Sequence, residues 1–449
     1  MSHHTVREWG ELKLGDDGFT RDQAGALHAA ACAHPLAHRD ATNILVYRHD
    51  RIVTRQMVGM VAARGCSLEI LPKVDPEEVD DPNQHATVRG RLVQMLDVAL
   101  GLDLEAGNAA TMHRQNSTLL EFLIRQFADK LLAEVRRGLP RLYQPCEEDL
   151  PTLRGRLDVV RQFTRNAVRP DRLSCRYDRL DADTPLMRIM ASAVVFLGKH
   201  ARAADTRRTL GELRHVLADI PFVPANRLDW KSVRIDRTNR RWASLFRLAR
   251  LLLDREWQTT HHRDRAAEGV TLLFAMNDLF ESYVAAMLRR ALAASDIEVV
   301  AQGGLRHCLG PWVADEDCIG TTFQTKPDII LRRGNRVLTI VDTKWKALAE
   351  PFEGKGGVSQ ADVYQLMAYA RLYRCDDLLL LYPAAPTATA GERMAFGMSG
   401  GREKLRIAQI DIAADKDTIS RALKEVFASG DNYRRNGHTG SELLVSAGI

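Results

Sequence analysis

Two short apolar runs, residues 328–332 and 336–344, stand on either side of the turn signal RGN. Runs of this length that meet at Gly and Asn are typical of two antiparallel strands joined by a tight turn. The first run begins with Asp328, and the second ends with Asp342 and Lys344. The sequence therefore predicts a β-hairpin that carries two carboxylates and an ammonium group.

Strand geometry decides which of these charged groups meet. Side chains two residues apart share one face of a strand, so Asp342 and Lys344 point the same way. Asp328 joins them if the loop holds an odd number of residues: it then faces Asp342 directly or lies diagonally from it. A three-residue loop with Gly in the left-handed conformation is common. It would place the two acids roughly 5 to 8 Å apart at Cβ.

Two carboxylates this close repel each other unless a cation lies between them. Mg²⁺ (or Mn²⁺) is the expected cation, because it takes oxygen ligands and keeps several waters. Held by Asp328 and Asp342, it would lower the pKa of an attacking water and neutralise charge on a phosphate. Lys344 would orient or help deprotonate that water and stabilise the anionic transition state. The alternative is that Asp328 ends a strand, and that Asp342 and Lys344 form an ordinary salt bridge at a sheet edge.

The surroundings of the hairpin favour the catalytic interpretation. KPD, thirteen further residues and DTK match the PD-(D/E)xK nuclease pattern. A helix from Ser359 to about Tyr373 carries Gln365 and Tyr369 on one face, which resembles the Q-x-x-x-Y element of RecB-like nucleases. The alternative is a polar edge on a packed helix.

A second helix, predicted over residues 274–293, precedes the hairpin. Its buried stripe is predicted to comprise Met276, Leu279, Phe280, Tyr283, Val284, Met287 and Leu288. Glu281 lies beside this stripe, where nucleases of this pattern often place a third acid. The alternative is that Glu281 is a solvated helical residue.

Periodicity changes twice along the 449 residues, a length that exceeds one compact core. Residues 42–74 alternate apolar and polar, later segments repeat at three- and four-residue spacing, and the last third mixes both periods. The sequence predicts a mixed α/β, multi-domain chain. Its parts are a small β-rich N-terminal domain (1–80), a helical, Arg-rich middle region (81–269) and a C-terminal α/β domain with a central mixed sheet (270–449).

The basic stretch Lys231–Arg250 contains seven basic residues and one acid, with Trp242 and Phe246 interleaved. Such a stretch can follow a phosphate backbone. The alternative is a solvated helix face whose arginine stems lie on apolar neighbours. The candidate DNA contacts are Arg237, Arg240 and Arg241.

Cysteine usage and hydropathy bear on location. The seven cysteines show no C-x-x-C spacing, and no apolar run approaches the roughly 18 to 20 residues that span a bilayer. We therefore expect reduced thiols, a cytoplasmic protein and no membrane association.

Several segments together resemble the McrC family, the endonuclease subunit of the 5-methylcytosine restriction system. They are MNDLFESYV, KPDIIL, VDTKWK and DVYQLMAYA, with VGMV…LEILPKV resembling the family's N-terminal β-domain and LRGRLDV…CRYDRLDADTPLMRIM its middle region. The resemblance implies a restriction-endonuclease-like domain that cleaves double-stranded DNA with Mg²⁺. Its catalytic residues would be Asp328, Asp342, Lys344 and Glu281, supported by Gln365 and Tyr369.

The resemblance also implies a partner, a hexameric AAA+ GTPase (McrB-like) that binds the GTP and whose hydrolysis this chain stimulates. The N-terminal domain would dock on that GTPase, which would also recognise the modified base. The chain itself contains no G-x-x-x-x-G-K-[ST] phosphate-binding loop.

Two other functions stay open at this stage. One is a stand-alone RecB-like nuclease, and the other is a catalytically silent activator of the motor, although all three catalytic positions are filled by competent residues. A serine hydrolase requires a strand before its G-x-S-x-G motif and a helix after it, whereas a strand is predicted to follow the match at GMSGG. The group His307, Cys308 and Cys318 fits no zinc spacing.

Overall fold

The computed structural model describes most of the chain. The described residues are 2–15, 18–34, 36–37, 44–63, 65–74, 81–104, 118–253, 271–312, 320–348, 358–384 and 390–436. They form two compact units: Met1–Asn116 together with Leu273–Ile449, and Ser117–Leu272. Because the described residues form both helices and several β-sheets, the expected mixed α/β class is confirmed. The three-part division at residues 80 and 269 stays a prediction.

The N-terminal part of the first unit contains two sheets, and four of its strands, within residues 45–71, lie where the alternating pattern of residues 42–74 predicts strands. The elements are β1 (Ser2–Arg7), β2 (Glu11–Lys13), α1 (Arg21–Cys32), β3 (Leu45–Tyr47), β4 (Arg51–Thr54), β5 (Met57–Ala63), β6 (Cys66–Leu71), α2 (His85–Leu100) and β10 (Leu272–Ala275). The larger sheet has the order β1-β6-β5-β10, with β1 parallel to β6, and the smaller has the order β2-β4-β3. Helix α1, which begins at a capping box formed by Thr20 and Gln23, packs on β5 and closes the core.

The second unit combines helices with a three-stranded sheet of order β7-β9-β8. Its elements are α3 (Leu119–Arg136), β7 (Leu142–Leu150), β8 (Arg156–Leu157), α4 (Val159–Thr164), β9 (Leu173–Asp181), α5 (Pro185–Gly198), α6 (Ala204–Val216) and α7 (Ala243–Leu253). The sequence predicts a helical region here. That prediction is wrong for residues 142–181, which contain the three strands of this sheet. Few residues of these strands are buried, so the strands lack the apolar alternation that marks a half-buried strand.

A six-stranded mixed sheet forms the C-terminal part of the first unit, in the order β11-β14-β15-β16-β18-β17. The elements are α8 (Met276–Ala291), β11 (Glu298–Ala301), β12 (Arg306–Leu309), β13 (Thr322–Thr325), β14 (Ile329–Arg333), β15 (Arg336–Thr343), α9 (Gln360–Tyr373), β16 (Asp377–Pro383), β17 (Gly391–Gly397), β18 (Lys404–Ile410) and α10 (Lys416–Asn436). Strands β14 and β15 are antiparallel, whereas β15, β16 and β18 run parallel. Strand β16 is buried along its whole length, as expected for a parallel strand inside a sheet.

Helix α8 packs against α2, α10, β11 and β15. The seven side chains of its predicted stripe are all buried, so the sequence predicts the packed face of this helix correctly. Within the stretches that the structure describes, every helix is too short or too polar to cross a bilayer.

The predicted three-residue loop of the β14–β15 hairpin is wrong. Arg333 pairs with Arg336 across a two-residue turn, and Gly334 in that turn has a φ of +56°. Two-residue loops are the commonest hairpin connections because their twist matches that of the strands. An even loop alone would place Asp328 on the opposite face from Asp342.

A β-bulge restores the alignment that the loop lacks. The register shifts between Leu331 and Arg332, so that β15 holds one residue more than β14 at this point and Ile329 pairs with Val341. A bulge of this kind adds one residue to one strand and moves every later side chain to the other face. Continued by one position, the register sets Asp328 opposite Asp342.

A buried charge cluster ties four strands of this sheet together. Arg406 of β18 is 0 % exposed. Its Nε and Nη2 donate to the two carboxylate oxygens of Asp377, at 2.8 and 2.7 Å. Its Nη1 donates to Glu392 of β17 at 3.2 Å, and Thr339 of β15 donates to Asp377 at 2.7 Å. Each carboxylate oxygen of Asp377 therefore accepts a hydrogen bond.

We expect Arg406→Met to lower the free energy of unfolding by about 3 to 5 kcal/mol, because removing one partner of a buried pair leaves the other charge uncompensated. Chemical denaturation followed by circular dichroism measures this loss. The control is Arg332→Met, which breaks an ion pair with Glu298 whose two side chains are 42 % and 57 % exposed and should barely move the midpoint. Equal midpoints for the two variants would show that the cluster does not support the sheet.

Candidate active site

The ends of β14 and β15 bring the two predicted aspartates together. Asp342 is 1 % exposed and lies next to last in β15, a strand between β14 and β16. Asp328 directly precedes β14, and its Oδ2 accepts hydrogen bonds from the backbone N and the Oγ1 of Thr343, at 2.8 and 2.9 Å. Thr343 stands between Asp342 and Lys344, so it fixes Asp328 to the strand that carries both.

Lys344 lies between two carboxylates. Its Nζ is 2.8 Å from Asp342 Oδ2 and 3.4 Å from Asp362 Oδ1. Asp342 and Lys344 thus share one face, as the two-residue period of a strand requires. The pair does not lie at a sheet edge, because β15 has a hydrogen-bonded neighbour on each side. That observation disfavours an ordinary edge salt bridge.

Glu281 of α8 is buried, with 9 % of its surface exposed. Its Oε2 accepts a hydrogen bond from Gln302 Nε2 at 3.1 Å. Burial, and then the charge of Asp328, raise the pKa of Glu281 to about 7. The alternative of a solvated helical Glu281 is therefore wrong, and this carboxyl can exchange a proton near neutral pH.

Burial sets the protonation of the other charged groups as well. It raises the pKa of Asp342 to about 6, with a further contribution from the charge of Asp328. It also raises the pKa of Asp328, although hydrogen bonds from Thr343 oppose the shift. For Lys344, burial lowers the pKa, but the neighbouring carboxylates outweigh it and the net shift is upward. The lysine thus stays cationic among acids that resist ionisation.

Two carboxylate oxygens of the site are available to a cation. Asp342 Oδ1 and Glu281 Oε1 are buried and accept no hydrogen bond from the residues that the structure describes. Buried oxygens of this kind suit a hard divalent cation. Among the same residues no three His, Cys, Asp or Glu side chains converge as a complete metal site. The protein would supply part of the coordination, which suits Mg²⁺ because it keeps several waters.

The pair on α9 lies beside the segment that leads to Asp328. Gln365 Nε2 donates to Tyr369 Oη at 2.8 Å, and Tyr369 Oη donates to the carbonyl of Lys326 at 3.3 Å. The two side chains share a helix face, as their spacing predicts. Tyr369 thereby fixes α9 against the backbone just before Asp328.

Sequence reasoning missed Asp362, which contacts Lys344 from the first turn of α9. The signal that could have found it is its spacing, because Asp362 stands three residues before Gln365 and seven before Tyr369, on the same side of a helix. The helix was predicted to begin at Ser359, and the Oγ of Ser359 does accept from the backbone N of Asp362.

A second missed residue is Glu8, which follows β1. Its Oε2 accepts hydrogen bonds from Trp345 Nε1 and from the backbone N of Lys73, both at 3.0 Å. Trp345 follows Lys344 directly, and its ring packs on Phe280 with the ring centroids 5.4 Å apart. Glu8 therefore fixes the chain on the C-terminal side of Lys344.

The basic candidates lie in the second unit. Arg237 and Arg240 are exposed. Arg241 Nη2 donates to the carbonyl of Gly138 at 2.7 Å, and its Nε lies 3.1 Å from Glu134, so part of its donor capacity is used within the fold. Trp242 is 0 % exposed and belongs to the core, which leaves it unable to stack on a base. DNA contact by the arginines stays a prediction.

Comparison with known proteins identifies a family. The model of the McrBC 5-methylcytosine restriction system component matches residues 52–383. A comparison with curated proteins gives no match.

Solved structures from Thermococcus gammatolerans share the fold. One is a refined half-complex from a tetradecameric assembly of McrB AAA+ hexamers with bound McrC. It is 20% identical with a TM-score of 0.68, over 94% of this chain and 100% of that one. The other is a cryo-EM structure of the McrBC complex, 24% identical with a TM-score of 0.53, over 65% of this chain and 88% of that one.

We expect Glu8→Gln to change how stability depends on pH. Burial raises the pKa of Glu8 from 4.5 to about 7, against the hydrogen bonds from Lys73 and Trp345. Between those values the folded chain keeps a proton that the unfolded chain has lost, so the free energy of unfolding falls as pH rises through this window. The contribution of Glu8 is at most about 3 kcal/mol.

Denaturant unfolding at about pH 5 and about pH 8 measures the effect. Glu281 and Asp342 titrate in the same window, so the informative quantity is the difference between variant and parent. The Glu8→Gln variant should lose less stability across the window than the parent. Glu11→Gln, at an exposed carboxylate paired with Arg51, is the matched control. A pH dependence identical in Glu8→Gln and parent would contradict the assignment.

Proposed function

We propose that this chain, which belongs to the family of McrBC 5-methylcytosine restriction system components, cleaves double-stranded DNA as the Mg²⁺-dependent endonuclease of a modification-dependent system. The family assignment confirms the resemblance read from the sequence motifs. One observation carries the proposal. Asp328 and Asp342 face each other on a buried hairpin with Lys344 beside them, and Asp342 Oδ1 accepts no hydrogen bond from the described residues.

Each side chain has a task in phosphodiester hydrolysis. Asp328 and Asp342 would hold Mg²⁺ (or Mn²⁺), which when bound lowers the pKa of water and neutralises phosphate charge. The ammonium of Lys344 would donate to the attacking water or to a phosphate oxygen that gains charge. The carboxylate of Glu281 would accept the proton of that water as the water oxygen bonds to phosphorus. The bond from phosphorus to the leaving sugar oxygen would break, and that oxygen would take up a proton from a second water molecule.

Gln365 and Tyr369 would support this arrangement without reacting. The hydroxyl of Tyr369 donates to the Lys326 carbonyl two residues before Asp328, and Gln365 donates to that hydroxyl. These contacts hold α9 against the N-terminal side of the hairpin. Removing groups that orient a metal site in this way typically costs roughly 10- to 100-fold in metal affinity or activity.

The proposal includes a hexameric AAA+ partner that binds and hydrolyses GTP. In the Thermococcus half-complex, McrC is bound to McrB AAA+ hexamers, and the likeness to that structure extends over 94% of this chain. By analogy this chain would stimulate the partner's GTP hydrolysis, and residues 1–80 would dock on the partner. This division assigns nucleotide binding to the partner and phosphodiester cleavage to this chain.

We expect Asp342→Ala to reduce cleavage by roughly a hundredfold or more, because it removes a cation ligand and the nearest partner of Lys344. The assay combines the variant with the partner, GTP, Mg²⁺ and methylated or unmethylated DNA, and follows GTP hydrolysis in parallel. Asp296→Ala is the control, since that acid is exposed and pairs with Arg333 at the turn end of the hairpin.

Loss of cutting with GTP hydrolysis still stimulated would support separate tasks for the two chains. Undiminished cutting by Asp342→Ala would rule out the site. Cutting by the parent chain without the partner would favour the stand-alone nuclease, and no cutting under any condition would favour the silent activator.

The arginines of the second unit make a separate prediction. Replacing exposed Arg237 and Arg240 together by Gln should reduce the slope of log affinity against log salt concentration by up to about 2 in magnitude. Each phosphate contact contributes about 0.9 to that slope. Fluorescence anisotropy with duplex DNA over a range of salt concentrations measures this slope. Arg332→Gln, at an exposed arginine of the first unit, is the control. An unchanged slope in the double variant would exclude these arginines as phosphate contacts.

A further inference from the structure

We propose that Asp362 is the positioning residue that holds the Lys344 ammonium in the active site, a role that rests on the proposed nuclease function. Asp362 Oδ1 lies 3.4 Å from Lys344 Nζ, while its Oδ2 lies 3.1 Å from Lys346 Nζ. The two lysines stand two residues apart just after β15. One carboxylate of α9 therefore engages both.

The need for a second carboxylate follows from the position of the first. The closer partner of Lys344 is Asp342 Oδ2, at 2.8 Å, and Asp342 is also a proposed cation ligand. A carboxylate that binds a divalent cation has less charge left to attract an ammonium. Lys344 carries its charge on a flexible four-carbon stem, and its side chain is 24 % exposed. Without another anion, its head group would be free to turn to solvent.

Asp362 is well fixed for this task. It lies in the first turn of α9, where its backbone N donates to the Ser359 side chain at 3.2 Å. The N-terminus of a helix favours a negative charge. Lys346 holds the other carboxylate oxygen, and its own Nζ lies 5.9 Å from the ring centre of Tyr382. The carboxylate thus has a fixed backbone and a second cation that limits its rotation.

The same helix also holds the other side of the site. Tyr369 contacts the carbonyl of Lys326 before Asp328, whereas Asp362 contacts Lys344 two residues after Asp342. Helix α9 therefore contacts both the segment before β14 and the segment after β15. A role confined to helix capping would not require the carboxylate to reach Lys344, because the cap contact joins the Ser359 side chain to the backbone of Asp362.

The experiment compares Asp362→Asn with Asp362→Glu in the full chain, assembled with its partner, GTP, Mg²⁺ and DNA. Single-turnover cleavage and DNA affinity are measured separately. We expect Asp362→Asn to slow cleavage about 10- to 100-fold, the usual effect of losing a group that orients a catalytic residue, with DNA affinity unchanged. Asp362→Glu keeps the charge and should recover most of the rate.

Asp417→Asn is the matched control, because Asp417 also lies in the first turn of a helix and pairs with a basic side chain, Arg290. It should leave the rate unchanged. A second readout needs no cleavage: amine-specific labelling of the chain in the presence of Mg²⁺, quantified by mass spectrometry, should increase at Lys344 in Asp362→Asn and stay constant at Lys404.

The outcomes separate this proposal from the nuclease proposal. Parental cleavage by Asp362→Asn, with Asp342→Ala inactive, would overturn the role of Asp362 and leave the nuclease site standing. Slow cleavage in both Asp362 variants, together with a lower melting temperature and unchanged labelling of Lys344, would show a structural role and also overturn it. Active Asp342→Ala would instead reject the nuclease site itself.

Discussion

The burial of the Asp342 carboxylate is the constraint on which the surrounding structure depends. A carboxylate that is 1 % exposed is costly unless it is paired or neutralised. Three features meet this cost in part: Lys344 lies 2.8 Å away, Asp328 is held by Thr343 rather than by Asp342, and burial shifts the Asp342 pKa toward neutrality. The remaining oxygen, Asp342 Oδ1, has no hydrogen-bond donor among the described residues. A cation bound to this oxygen would offset the rest of the cost of burial.

A second buried acid of the same sheet shows what a purely structural solution looks like. Both oxygens of Asp377 accept hydrogen bonds from Arg406, and Thr339 adds a third. Asp377 therefore needs no ligand. It lies in β16 and binds Arg406 of the parallel strand β18, so the contact holds these two strands together. Asp342 lies in the same sheet with its pairing incomplete. Incomplete pairing, rather than burial alone, therefore distinguishes Asp342 from Asp377.

Sequence reasoning located most of this site and missed the parts that depend on distant contacts. The hairpin, the buried face of α8 and the pairing of Gln365 with Tyr369 follow from local periodicity, and local periodicity is visible in a chain. The bulge cannot be read from the sequence, because a shift of register depends on how two strands pair. The face of Asp328 was predicted correctly, but from a loop length that was wrong. Glu8 is 337 residues from its partner Trp345, a separation that no pattern in the sequence reveals.

The contacts of Lys344's neighbours show that the site is assembled from both ends of the chain. Trp345 is held by Glu8, and the backbone N of Ala347 donates to the carbonyl of Val74 at 3.0 Å. The segment after β15 is thereby fixed on residues that precede position 80, while α9 fixes it from the C-terminal side. If the partner docks on residues 1–80, the docking region and the segment carrying Lys344 share hydrogen bonds within one compact unit. Within that unit Glu8, directly after β1, is joined by one side-chain hydrogen bond to Trp345, the residue after Lys344.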